Sequence, residues 1–174
     1  MGPRVPALAA MAGSVCLALT AGAAASPPVH EEPVPIPPTT YPAGFVCSFP
    51  LTVTPLVERQ STTVFFDREG NVDRIQFAGA LVLRFTNESL GGGSVDLNVS
   101  GPGKLTFAPN GNLVADAHGT GSFLLFPGDI GPNGTVGPGA LFVAGHSKFH
   151  LTPTGQLVID SIVGRTRDIC AMVA

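Results

Sequence analysis

Alternation of apolar and polar residues is the pattern that most constrains this chain, and it recurs through the sequence after Ala43. Ile75 and Phe77 alternate with polar neighbours, and the same period of two recurs around Leu83 and Leu97. A period of two is typical of half-buried β-strands. Helical spacing persists for three turns nowhere after Ala43, and the 22 Gly and 17 Pro of the chain would interrupt a long helix. The sequence therefore predicts an all-β domain.

Three segments share one plan, in which a strand runs into a short turn with glycine and a second strand returns. They are residues 66–72, 107–113 and 151–157. Glycine supplies the positive φ that tight hairpin turns require, and Pro109 and Pro153 preset the entry to the turn. The glycine-rich segment 89–94 predicts a fourth hairpin, which joins the strands around Leu83 and Leu97.

Successive hairpins predict an antiparallel meander of about eight to ten strands. Such a meander forms either a closed up-and-down barrel or a two-layer sandwich. We favour the closed barrel, because sequential hairpins dominate and a link between the first and last strands suits a sheet whose ends meet.

Residues 1–25 have the pattern of a signal peptide. Arg4 precedes an uncharged apolar stretch that ends in small residues, which place a cleavage site after Ala23 or Ala25. A retained anchor is the alternative, since about 20 apolar residues span a bilayer, although Ala and Gly make this stretch a weak one. We expect cleavage, secretion into the extracellular space and no membrane attachment afterwards.

The segment after the signal peptide, residues 26–42, contains seven prolines and few large apolar side chains. This composition predicts a disordered, extended linker. A single β domain, residues 43–174, follows the linker and is long enough to build one core.

Two cysteines, Cys47 and Cys170, lie near the two ends of the β domain. An even pair in an oxidising compartment predicts a disulfide, with two buried free thiols as the alternative. In the chain-entropy model, closing so long a loop stabilises the fold by up to about 4–5 kcal/mol. We expect the bridge to connect the first strand to the last.

The charge balance argues against nucleic acid and anionic membranes as partners. Removing Arg4 from the nine Lys and Arg leaves eight, against twelve Asp and Glu, and the only basic cluster is the pair Arg165 and Arg167. Both kinds of partner require concentrated positive charge.

No catalytic, cofactor or metal motif stands out in the sequence. The segment 100–105 lacks the glycine and hydroxyl positions of a P-loop, and a Gly-x-Ser-x-Gly motif is absent. Asp116 and His118 share a strand face, and His146 and His150 are four residues apart, but nothing nearby in sequence completes a zinc site. We therefore predict solvent-facing histidines, no metal ligand, no cofactor and no catalytic residue.

One long loop is unusual, because five glycines and three prolines lie within residues 127–139, between the apolar runs 123–126 and 141–143. Loops of this length in a compact domain are more often functional or mobile than simple connectors. We predict a mobile loop that acts as a lid over an apolar cavity. Its candidate residues are Pro127, Gly128, Asp129, Gly131, Gly134, Gly137 and Gly139.

Four short motifs resemble a group of small secreted β-proteins of high-GC actinobacteria without known activity. They are Cys47-Ser48-Phe49-Pro50, residues 98–103, residues 126–129 and Asp168-Ile169-Cys170. The resemblance implies secretion, a β fold and the disulfide, and it transfers no catalytic residue. The predicted barrel is also similar to lipocalin and allene-oxide-cyclase architecture, a likeness of fold that does not assign a function.

The function expected from the sequence is noncatalytic. We favour surface binding of an extracellular or envelope partner, or a structural role there. The alternative is a barrel that binds a small apolar ligand in its lumen, and a secreted hydrolase comes third.

Overall fold

The computed structural model describes residues 26–33 and 35–174. The predicted signal peptide therefore lies outside the described residues. The strands are β1 (Val29–Glu31), β2 (Thr39–Tyr41), β3 (Leu51–Phe66), β4 (Val72–Asn87), β5 (Ser94–Asn98), β6 (Gly103–Phe107), β7 (Leu113–Leu125), β8 (Gly139–Leu151) and β9 (Leu157–Asp168). A 3-10 turn spans Pro132–Gly134, and one short helix, α1 (Ile169–Val173), follows β9. The prediction of an all-β domain is confirmed.

These nine strands form one antiparallel sheet in the order β1-β3-β4-β6-β7-β8-β9, with β2 beside β3 and β5 beside β4. The three repeated segments are the turns of the β3–β4, β6–β7 and β8–β9 hairpins. The fourth predicted hairpin is the β4–β5 pair, in which Leu83 lies opposite Leu97. All four predicted hairpins are confirmed. They were predictable because each is encoded by residues that are close together in the chain.

Residues 26–42, for which we expected a disordered linker, contain β1 and β2. Both strands pair with the outer edge of β3, with Val29 opposite Val64 and Thr39 opposite Val53. The prolines of this segment lie outside the two strands, so residues with N–H groups are available for pairing. The extended backbone that proline favours is also close to the strand conformation.

Hydrogen bonds do not close the described sheet, because β9 pairs only with β8 and the other side of β3 takes β1 and β2. Side chains from both ends of the sheet nevertheless share one hydrophobic core. Leu51 and Phe85, from β3 and β4, pack in one cluster with Ala140 of β8 and with Ile169 and Val173 of α1. All five are almost completely buried.

The predicted disulfide between Cys47 and Cys170 is confirmed, with a Cα–Cα distance of 5.6 Å across 123 residues of sequence. Our expectation that it ties the first strand to the last is wrong in detail. Cys47 precedes β3 and Cys170 lies in α1, so the bridge joins segments that flank the sheet. Two hydrogen bonds to the carbonyl oxygen of Val173 also hold α1, from the N–H of Gly93 at 2.9 Å and the Nδ2 of Asn87 at 3.2 Å.

The sheet opens between β5 and β7. β5 and β6 lie along the same side of β4, with a break between them. Ser100 lies in this break and contacts β4. Its hydroxyl accepts a hydrogen bond from the N–H of Leu81 at 2.8 Å and donates one to the carbonyl of Leu81 at 3.1 Å. β6 pairs with β7 only as far as Ala117, whereas β5 pairs with β4 alone. The second half of β7 therefore runs free of β5.

A row of glycines crosses the other half of the sheet, where Gly119, Gly145 and Gly164 lie opposite one another on β7, β8 and β9. Gly145 has a φ of +150°, and a Cβ atom added there would collide with the carbonyl oxygen of Val163. Glycine kinks of this kind introduce the curvature that rolled sheets need.

We expect Gly145→Ala to lower the free energy of unfolding by about 3 kcal/mol or more, because backbone strain adds to the collision with β9. Gly121→Ala on β7 is the matched control, since its added Cβ would meet no atom within 4 Å. It should change the free energy by less than about 1 kcal/mol. Urea unfolding followed by circular dichroism measures both, and equal effects would contradict a structural role for the glycine row.

Candidate functional site

The inner face of β7 carries a run of small residues. Alternate residues of a strand share a face, and the fully buried Ala115 is followed on its face by Ala117, Gly119 and Gly121 before the buried Phe123. A Cβ atom built on Gly121 meets no atom within 4 Å. The strand therefore leaves space between itself and the rest of the core.

This space is a cavity of about 170 Å³. Its wall is mainly apolar and comes from both sides of the opening in the sheet. The large apolar residues that line it are Phe77, Leu81, Val99, Phe123, Val143 and Phe149. Phe123 and Phe149 meet edge to face with ring centroids 5.0 Å apart. Apolar cavities of about 150 Å³ accept benzene, so this one has room for a substituted ring.

Ser147 places a hydroxyl group on the cavity wall. The residue lies on the inner face of β8 and is only 7% exposed. No fully buried side-chain nitrogen or oxygen atom of the described residues lacks a hydrogen-bond partner, so this hydroxyl is not an unsatisfied buried group. It is a hydrogen-bonding group on an otherwise mainly apolar wall, where it can orient a ligand.

The cavity was not predicted from the sequence. The available signal was the alternation of Ala and Gly from Ala115 to Gly121, which places four small residues on one strand face. The apolar runs 123–126 and 141–143 do contribute to the wall, through Phe123 and Val143.

No residue of the long loop lines this cavity, and the role of the loop as a lid over a cavity stays a prediction. The loop lies instead beside β9, where the buried carboxylate of Asp129 accepts the N–H groups of Phe126 at 2.7 Å and Leu157 at 2.9 Å. Ile130 donates to the carbonyl of Leu157 at 2.9 Å and accepts the N–H of Ile159 at 2.8 Å. These contacts attach the first part of the loop to β9.

The second part of the loop forms one wall of a broad groove of about 920 Å³, which Gly137 and Gly139 help to line. The opposite wall is β9. The carboxylates in this groove already have partners, because Asp168 caps α1 by accepting the N–H of Ala171 and Asp160 contacts His150. Both carboxylates that line the groove are therefore already engaged.

A second polar feature is the histidine cluster, defined as Asp116, His118 and His146 on the outer face of the sheet. His118 and His146 lie opposite each other on β7 and β8, and their rings stack with centroids 4.2 Å apart and planes 4° apart. The Oδ1 atom of Asp116 lies 2.8 Å from the Nε2 of His146 and 3.3 Å from the Nε2 of His118. Sequence spacing grouped Asp116 with His118 and His146 with His150. It did not predict that His146 contacts the first pair, because that contact depends on the register between β7 and β8.

The electrostatics of the histidine cluster favour an ionised carboxylate. The hydrogen bond with His146 lowers the pKa of Asp116, and partial desolvation opposes this effect. The charges of Lys148, whose Nζ lies 3.8 Å from Oδ2, and of His118 lower the pKa further. Asp116 is therefore available as a charged acceptor at neutral pH.

His150 forms a separate pair with Asp160, whose two oxygens both lie 3.0 Å from Nδ1. An aspartate holds histidine in this way in hydrolase triads. In residues 26–33 and 35–174, however, no serine or threonine hydroxyl hydrogen-bonds this ring. The described contacts give the pair the role of linking β8 to β9.

No protein-family model matches the chain, and no curated protein sequence or solved structure shows significant similarity to it. The resemblance to secreted actinobacterial proteins stays a prediction. Within the described residues, the structure contains no helix that is long and apolar enough to cross a membrane.

We expect Asp129→Ala to lower the free energy of unfolding by about 2–4 kcal/mol, because it leaves two backbone N–H groups without their charged acceptor. Asp160→Ala is the control, since that carboxylate is largely exposed, and it should cost less than about 1 kcal/mol. Urea unfolding gives both values, and hydrogen exchange should show a faster amide at Leu157. An Asp129→Ala variant as stable as the parent would contradict this role of Asp129.

Proposed function

We propose that this chain is an exported, noncatalytic domain that binds a small, mainly apolar molecule in the cavity behind β7. One observation supports the proposal above all: open space lies in front of Gly121, and the buried residue Ser147 places its hydroxyl on the wall of the same cavity. Protein interiors are normally packed to the density of organic crystals. Imperfect packing alone therefore does not explain a cavity of this size lined by small residues.

The chemistry of the wall limits the ligand. Phenylalanine, leucine and valine side chains favour an apolar body, and a few polar side chains, among them Ser147 and His118, supply orientation. This is the usual composition of a small-molecule site. The volume of about 170 Å³ suits a ring with one or two substituent atoms. We infer a ligand of the size of phenol, with one group that exchanges a hydrogen bond with Ser147.

Export is part of the same proposal. The pattern of residues 1–25 supports a signal peptide that is cleaved after Ala23 or Ala25. The disulfide between Cys47 and Cys170 is consistent with an extracellular protein, because such bonds persist in oxidising compartments.

We further propose that the rolled sheet works as a barrel whose seam is made by side chains instead of hydrogen bonds. The hydrophobic core supports this view, since Leu51 and Phe85 of β3 and β4 share it with Ala140 of β8 and with Ile169 and Val173 of α1. Such a seam would close the sheet at the place where β3 and β9 do not pair.

Binding of an extracellular or envelope partner at the surface, which the sequence analysis favoured, has less support. The exposed large apolar side chains include Leu90, Phe107, Val136 and Val163, which belong to different strands and loops. Separate side chains of this kind are normal on protein surfaces.

The test compares phenol with toluene, which has nearly the same shape but no hydroxyl. The full chain is expressed in an exporting host and purified from the medium, where its intact mass reports whether residues 1–23 or 1–25 are removed. We expect both probes to shift the amide NMR signals of β7 and β8 saturably. Ser147→Ala should weaken phenol about fivefold and leave toluene unchanged, because it removes one hydrogen bond.

Gly121→Val separates cavity binding from binding elsewhere, because its side chain would occupy the space in front of β7. We expect it to abolish the shifts caused by both probes. Thr166→Val, which replaces a hydroxyl by a methyl group in the broad groove beside β9, is the matched control and should bind like the parent. Absence of saturable shifts in the parent, or unchanged binding by Gly121→Val, would contradict the proposal.

A further inference from the structure

The histidine cluster brings together three side chains that are typical metal ligands. The ligand atoms of Asp116, His118 and His146 all lie within 4.8 Å of one another. They lie on the face of β7 and β8 opposite to Ser147, although His118 also helps to line the ligand cavity. His146 does not line that cavity, so variants of His146 separate metal binding from ligand binding.

We propose that Asp116, His118 and His146 form a binding site for a divalent transition-metal ion. Two imidazole nitrogens and one carboxylate oxygen are a donor set that Zn²⁺ and Cu²⁺ prefer. Magnesium and calcium are disfavoured, because they take oxygen ligands. Three protein ligands leave at least one position of the ion to water, as in open zinc sites.

The distances are close to those of a bound site. Ligands at about 2.0–2.1 Å from a tetrahedral zinc ion are about 3.3 Å apart, and the Oδ1 of Asp116 lies 3.3 Å from the Nε2 of His118. The 2.8 Å contact between Asp116 and His146 is a hydrogen bond that the ion would replace. The backbone therefore already holds the three side chains within reach of one ion.

One adjustment is needed, and the structure allows it. The lone pair of Nε2 lies in the plane of the ring, so one ion cannot lie in the planes of two rings that stack in parallel. At least one ring must turn when the ion binds. The side chain of His118 is 64% exposed, which leaves it free to turn.

The surrounding charges should limit the affinity. Lys104 lies opposite Asp116 on β6, and Lys148 lies opposite it on β8. Both cations oppose a divalent ion, while the carboxylate of Asp116 attracts it. We therefore expect a dissociation constant on the order of micromolar rather than nanomolar.

A solvent-accessible hollow of about 390 Å³ opens beside the proposed site. Asp116 and His118 help to line it, together with Lys104, Gln76 and Phe77. The open coordination positions of the ion would face this hollow, and Lys104 would favour an anionic group there.

The test is calorimetric titration of the tag-free full chain with Zn²⁺ or Cu²⁺ at about pH 7.5, where metal ligands are deprotonated. We expect one ion per chain. His118→Gln and His146→Gln should each raise the dissociation constant at least about tenfold, because each removes one of three ligands. The Cu²⁺ complex should show nitrogen hyperfine structure from two imidazoles in its electron paramagnetic resonance spectrum.

His150→Gln is the matched control, because it removes a histidine that also contacts an aspartate but has no second histidine beside it. Its dissociation constant should stay within about twofold of the parent value. His118 is exposed, so His118→Gln should unfold at the same urea concentration as the parent. The proposal is overturned if the parent shows no saturable binding up to about 1 mM metal, or if His150→Gln weakens binding as much as His118→Gln.

Discussion

The structure depends on the contact that α1 makes with both ends of the sheet. Ile169 and Val173 are completely buried against Leu51 and Phe85, and the disulfide between Cys47 and Cys170 holds the same region covalently. Because β9 and β3 do not pair, side-chain packing and this bond take over the role that backbone hydrogen bonds have in a closed barrel. In the chain-entropy model the bond stabilises the fold by about 5 kcal/mol.

This closure determines what the two faces of β7 and β8 contact. With the ends of the sheet held together, the inner residues of both strands face β4, and the small residues from Ala115 to Gly121 leave a cavity there. His118 and His146 meet across the strand pair on the opposite face, where it is open to solvent. Further along that same face of β8, Ala140 packs in the core with α1. Because alternate residues of a strand lie on opposite faces, the same pair of strands carries the apolar cavity on one face and the histidine cluster on the other.

Local features of the fold were predictable from the sequence, and features that depend on strand register were not. Alternation around Leu83 and Leu97 and the glycine turns are encoded within a few residues, and the disulfide follows from a pair of cysteines. Predicting the histidine cluster requires knowing that residue 118 lies opposite residue 146. Predicting the cavity requires knowing which strands face the small residues of β7. Predicting that residues 29–31 pair with β3 requires knowing that β3 has an edge free of other strands.

A crystal structure of the chain under xenon pressure would show whether the cavity behind β7 exists, since xenon enters apolar cavities of this size. We expect a xenon atom in contact with Gly121 and Phe123, close to the hydroxyl of Ser147, with α1 packed against both ends of the sheet. Side chains that fill this space, with no xenon inside the sheet, would contradict this expectation.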